Sequence, residues 1–138
     1  AQGMELLGAA SHQYKWNLNF GDIATIWRGG CIIRAKFLGR IKDAYLRDRE
    51  LANLLLDGEF NSKIQQAQAG WRTVVSMATQ QGLPVLAMSA SLGYFDMYRA
   101  ANLPLNLTQA QRDFFGSHTY ERVDKPELGF VHTEWERL

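Results

Sequence analysis

The 138 residues make one domain or part of one, long enough to bury about two-thirds of the surface of the unfolded chain. Hydrophobic residues at 46% and charged residues at 21% are those of a globular protein, and three Pro with 12 Gly exclude a collagen-like or disordered chain. Fifteen Lys/Arg against 14 Asp/Glu leave a net charge of +1, too weak a field to hold a nucleic acid or an anionic membrane, and a single cysteine, Cys31, excludes an internal disulfide. No apolar run reaches the length of a membrane span and no signal peptide is visible, so the expected compartment is the cytoplasm.

Met4, Leu7, Ala10 and Tyr14 recur at three- and four-residue steps and predict a helix over 1–15. It begins with neither an initiator Met nor a capping residue, so a preceding segment is expected. Asn19 caps a short helix carrying Ile23, Ile26 and Trp27, broken by Gly29-Gly30. A further helix starts near Cys31, with Ile33, Phe37, Ile41 and Tyr45 on one stripe. Seven Lys/Arg against Asp43 and Asp48 make the stretch from Arg28 to Arg49 cationic, which reads as solvated surface or subunit contact rather than an anion site.

Glu50 to Leu56 reads as a short helix ended by Asp57-Gly58. Asn61 or Ser62 then caps a long helix whose Ile64, Ala67, Trp71, Val74, Val75 and Ala78 are expected to be core, running to Gly82. Pro84 opens a helix bearing Met88, Leu92, Phe95 and Tyr98. Thr108 is expected to cap the last helix, and Gly116 to take the left-handed position after it. Beyond Gly116 the period vanishes, and only Phe130–Thr133 suggests extended chain. The fold class is all-α, with a helical domain over 1–116 and an irregular extended tail over 117–138 that needs a surface to lie on.

The glycines form neither G-x-G-x-x-G nor G-x-x-x-x-G-K, which removes the usual dinucleotide turn and P-loop. His12, His118 and His132 show no metal-ligand spacing and one cysteine makes no cluster, so no metal is assigned. Adjacent Ser117 and His118 are not a nucleophile pair, because neighbouring side chains rarely converge and no third group orients them. Arg112 and His118 remain. A helix end lies between them, and a reversal there points a guanidinium fork and an imidazole at one volume, as an anion clamp would need. The plainer alternative is that Arg112 complements the C-terminus of its helix and His118 is an ordinary surface residue.

The stretches Trp27-Arg28-Gly29-Gly30-Cys31-Ile32-Ile33-Arg34 and Gln109-Ala110-Gln111-Arg112-Asp113-Phe114-Phe115-Gly116-Ser117-His118-Thr119-Tyr120-Glu121 resemble the C-terminal helical domain of the 6-phosphogluconate dehydrogenases. So do Trp16–Gly21, Phe37–Ile41, Tyr94–Arg99 and Phe130–Trp135, and the resemblance spans nearly the whole chain in order. It implies part of a decarboxylating oxidoreductase that turns 6-phosphogluconate and NADP into ribulose 5-phosphate, CO2 and NADPH. It further implies that the dinucleotide fold, a lysine base and a glutamate acid lie upstream, so no catalytic residue is expected in this chain and it should be inactive alone. Arg112 and His118 fall on the family positions that bind the substrate phosphate across a homodimer, with tail 117–138 expected to pack on the partner subunit. Arg28 and Arg34 carry no transferable role. The segment Gly82–Ser89 is looser than the family text, and the chain stops soon after Trp135, as in short-tailed bacterial members, so no NADP ligand is named. The alternative is a non-catalytic helical dimerisation module.

Overall fold

The computed structural model describes residues 1–30 and 36–135, so the expectations for Cys31, Ile33 and Arg34 lie outside the described residues. Among the described residues six helices dominate, in keeping with the all-α expectation: α1 (Gln2–Tyr14), α2 (Phe20–Ile26), α3 (Phe37–Arg47), α4 (Gly58–Gln80), α5 (Leu86–Arg99) and α6 (Asn106–Gly116). Single 3₁₀ turns occupy Leu54–Leu56 and Pro126–Leu128, and the strands β1 (Tyr120–Glu121) and β2 (Phe130–Val131) form a two-residue antiparallel ladder. None of the described helices is long and apolar enough to cross a membrane. The chain divides into two compact units, Ala1–Met88 and Ser89–Leu138.

In the first unit α2 packs on α3. Ala24 and Ala44 have no solvent exposure, and a Cβ on Gly21 would meet Lys42 Cγ at 3.3 Å, so small residues permit the close approach. Leu38, Ile41, Tyr45 and Leu54 complete the cluster, with Met4, Phe20, Leu51 and Phe60 packed against it. The stripe expected on α3 is therefore rotated: Ile41 and Tyr45 are buried, but Leu38 and Ala44 take the inner places and Phe37 is 51% exposed. The cationic face of α3 is largely neutralised within the unit, with Arg40 beside Glu59 (3.5 Å), Lys42 beside Asp22 (3.8 Å) and Arg47 on Asp57 (2.7 Å).

The caps explain where the helices begin and end. Asn19 Oδ1 accepts the Asp22 N–H (3.2 Å), as expected of an N-cap. The helix expected over Glu50–Leu56 shrinks to one 3₁₀ turn, because Asp48 and Asn53 draw the Glu50 and Leu55 amides into local side-chain bonds (both 2.9 Å). Asp57 starts the next helix rather than ending the last one. Its Oδ1 accepts from Glu59 N (3.1 Å) and Phe60 N (3.2 Å), so α4 begins at Gly58 and not after Asn61 or Ser62. Burial pulls the Asp57 pKa up, but the Arg47 guanidinium and these amides outweigh it and hold it below the ordinary value. Along α4 only Ala78 is buried; Ile64, Trp71 and Val75 are half-buried, while Ala67 and Val74 face solvent. The period of α4 is helical, but two of its six stripe residues, Ala67 and Val74, are exposed.

In the second unit Phe95 is buried, and the Arg99 guanidinium stands 5.1 Å over its ring. α6 starts at Asn106 with no side-chain cap at Leu105, so Thr108 lies inside the first turn instead of before it. At the other end Gly116 is the last helical residue and Ser117, at φ 47°, takes the left-handed position.

Candidate functional site

The last two turns of α6 leave Arg112 exposed, Gln109 half-buried and Asp113 buried. Arg112 Nη1 donates to Gln109 Oε1 at 2.9 Å, one turn back, which ties one side of the guanidinium to the helix. The chain then reverses through two non-glycine residues in left-handed conformation, Ser117 (φ 47°) and Thr119 (φ 64°), and His118 between them returns to the same place. Arg112 Nη2 contacts His118 Nε2. The structure thus brings together the two residues singled out from sequence, although the reversal is made by Ser117 and Thr119, not Gly116.

A guanidinium has no acceptor, so a hydrogen bond between these two atoms has Arg112 donating and His118 Nε2 accepting. Both side chains are exposed. A phosphate or carboxylate seated between them needs donors on both sides, which requires His118 to present a proton at Nε2.

Next to Arg112 in sequence, on the buried side of α6, is a carboxylate with many bonds. The Asp113 carboxylate has no solvent exposure, and four donors converge on it. Oδ1 accepts from Thr119 N (3.0 Å) and His132 Nδ1 (2.9 Å); Oδ2 accepts from Thr133 N (3.0 Å) and Trp135 Nε1 (3.0 Å). Burial works to raise its pKa, but the donors from Thr133, His132, Trp135 and Thr119 prevail and set it at about 2. The tail is fastened further by the Tyr120 and Thr133 hydroxyls (2.6 Å), by the β1–β2 ladder and by the edge of Trp135 against Phe114 (ring centroids 5.8 Å). The aperiodic segment after Gly116 therefore lies on α6 of its own chain, anchored by one buried anion.

Sequence reasoning missed Asp113 and its partners, although Arg112-Asp113 and His132-Thr133-Glu134-Trp135 lie in the most recognisable stretches. The signal available was an acidic residue at the buried side of a helix whose neighbours are Phe114 and Phe115; an unpaired carboxylate there is too costly to persist. Elsewhere, in the first unit, a cleft of about 880 Å³ is lined by residues of α1, the 17–20 turn and 45–52, with Glu5, His12, Lys15, Arg49 and Glu50 around it. Its charges are mixed in sign and it contains neither Arg112 nor His118. Among the described residues no group of three or more His, Cys, Asp or Glu is placed to hold a metal.

Residues 1–135 match the family described as 6-phosphogluconate dehydrogenase, C-terminal domain. The chain is 59% identical over 138 residues to the chloroplastic "6-phosphogluconate dehydrogenase, decarboxylating 1" of Arabidopsis thaliana, covering all of this chain and 28% of that protein. It is 56% identical over 135 residues to the NADP(+)-dependent, decarboxylating 6-phosphogluconate dehydrogenase of Bacillus subtilis, covering 98% of this chain and 28% of that protein. Among solved structures, 6-phosphogluconate dehydrogenase of Plasmodium falciparum, described in its apo form and in complex with NADP+ or with 6-phosphogluconate, is similar at a TM-score of 0.84 and 53% identity. That match covers 97% of this chain and 28% of that structure. The chain thus spans little more than a quarter of the length of these relatives.

Proposed function

Because the chain belongs to the 6-phosphogluconate dehydrogenase family through its C-terminal domain, we propose that it is part of an enzyme that oxidatively decarboxylates 6-phosphogluconate with NADP, and that Arg112 and His118 hold the phosphate of that substrate. The products of this reaction are ribulose 5-phosphate, CO2 and NADPH. The observation that carries the site assignment is the convergence of Arg112 Nη2 and His118 Nε2 at an exposed helix end. A guanidinium fork takes two phosphate oxygens at once, and the imidazole adds a third donor from the other side.

The phosphate of such a substrate does not react, so the clamp contributes binding and orientation that ground and transition states share. NADP serves such a reaction as hydride acceptor. The chain has no glycine-rich dinucleotide turn, and its residues do not fit that cofactor by the usual route. The division of labour puts substrate positioning on this domain and the hydride acceptor, base and acid on the rest of the enzyme.

The proposal includes a homodimer in which Arg112 and His118 complete the site of the partner subunit, with the tail over 117–138 close to that interface. What supports it is the exposure of Leu107, Phe114, Phe115 and Phe130 on or near the element that carries the clamp, all at least 65% exposed. A single cysteine suits a reducing compartment, and the cytosol is our reading of where the complete protein works. The test of function is NADP reduction by the full-length protein with 6-phosphogluconate, compared with gluconate lacking the phosphate. The reading expects turnover of the first and a steep loss of kcat/KM with the second; equal use of both would remove the phosphate clamp.

A further inference from the structure

The clamp depends on where His118 stands, and His118 sits in a turn that the chain does not adopt unaided. Ser117 and Thr119, one on each side of it, are both in the left-handed region, where a side chain with a Cβ crowds its own backbone. Such residues persist when their surroundings over-determine them. Here both determinants come from one residue. The main-chain carbonyl of Asp113 accepts the Ser117 N–H (2.9 Å), and its carboxylate Oδ1 accepts the Thr119 N–H (3.0 Å). The Thr119 hydroxyl then closes on the His118 carbonyl (2.6 Å).

We infer that Asp113 is the positioning residue of the anion clamp: with its carbonyl and its buried carboxylate it brackets His118 and sets the imidazole against the guanidinium of Arg112, its neighbour in sequence. This rests on the clamp reading and adds to it the device that makes two exposed side chains a defined site. The two carboxylate oxygens divide the work. Oδ2 serves the tail alone, through Thr133 N and Trp135 Nε1, whereas Oδ1 serves the turn at Thr119 as well as His132. Tail attachment and clamp geometry therefore share one anion but can be perturbed separately. Trp135→Phe removes a donor to Oδ2 and leaves the bracket. Thr119→Pro removes the N–H that Oδ1 holds and forbids the positive φ, while the three bonds to the tail remain.

The test uses the full-length dehydrogenase, with KM for 6-phosphogluconate, KM for NADP and kcat measured separately. Asp113→Asn is expected to raise KM for 6-phosphogluconate about three- to tenfold, part of what a charge-assisted hydrogen bond supplies, with KM for NADP and kcat within about twofold. Thr119→Pro should raise it equally, and Trp135→Phe should leave it within about twofold while speeding proteolysis of the tail. In a His118→Ala background neither Asp113→Asn nor Thr119→Pro should raise KM further, because the positioned group is gone. If Asp113→Asn does not fold, Thr119→Pro with the same background decides the matter. A full-sized effect persisting without His118, or Trp135→Phe raising KM as much as Asp113→Asn, overturns the inference and leaves Asp113 a tail anchor only. If Arg112→Ala and His118→Ala raise KM and the positioning variants do not, the inference alone fails; if Arg112→Ala and His118→Ala leave KM unchanged, the clamp itself fails and the inference falls with it.

Discussion

His132 Nδ1 lies 2.9 Å from Oδ1 of Asp113, nineteen residues earlier, and this hydrogen bond joins the end of the chain to the helix that carries the clamp. Since Asp113 is fully buried and every one of its bonds comes from a donor, the attachment requires the ionised carboxylate. The Asp113 pKa is depressed from 3.8 to about 2, so the stability it contributes is present above the unfolded value and lost as pH falls through the folded one. Tail attachment should be constant above about pH 4 and lost between there and about pH 2. Trp135 fluorescence, followed against pH, checks this, and Asp113→Asn should remove the transition in that window. A transition of undiminished size in the variant would assign it to another group.

Arg112→Ala in the complete enzyme should raise KM for 6-phosphogluconate about ten- to a hundredfold and leave KM for NADP nearly unchanged, because the guanidinium grips a phosphate that takes no part in the reaction. Arg112→Lys should recover only part of it, since an ammonium cannot form the fork. His118→Ala should be milder, because the imidazole supplies one donor where the guanidinium supplies two. Steady-state kinetics with each substrate varied in turn measures all three.

Mixed dimers decide whether the clamp serves its own subunit or its partner. With Arg112→Ala on one subunit and an inactivated catalytic base on the other, action in trans places both defects in one site and leaves the other whole, so half the activity survives at normal KM. With both lesions on one subunit, the remaining intact chemistry faces the mutated arginine and KM rises. Action within one subunit reverses the two results.

Asp57 should matter for stability and not for substrate. Its side chain caps α4 through the Glu59 and Phe60 amides and holds Arg47 by Nε (3.1 Å) and Nη2 (2.7 Å). Asp57→Ala should lower stability by about 0.5–2 kcal/mol, the usual worth of an N-cap, and Asp57→Asn by less because it keeps an acceptor for the amides. Thermal unfolding measures this, and KM for 6-phosphogluconate should not move.

The 138-residue chain by itself should self-associate and should not reduce NADP. Val74 and Met77 on α4, and Leu107, Phe114 and Phe115 on α6, are 48–82% exposed, so apolar surface is open on both units. Sedimentation at micromolar concentrations should show species above the monomer, and incubation with 6-phosphogluconate and NADP should give no absorbance of reduced cofactor. A clean monomer, or measurable turnover, would contradict one half of the prediction or the other.

Local physics accounts for what the sequence determined by itself. The six described α-helices in their order, the Asn19 cap and the return of His118 toward Arg112 follow from a period of 3.6, a side-chain acceptor within reach of an amide, and a reversal just after the helix that carries the arginine. Tertiary structure decided what depends on partners far along the chain. Asp57 reads equally as the end of one element or the cap of the next, and the choice falls on the cap because Arg47, ten residues back, holds the carboxylate in place. The apolar stripes of α3 and α4 are periodic whichever way they face, and only the small-residue packing between α2 and α3 fixes which positions go inside. Asp113 is the clearest case. A carboxylate is buried only where enough donors converge on it, and its donors come from six to twenty-two residues later, in a tail with no periodicity to announce them.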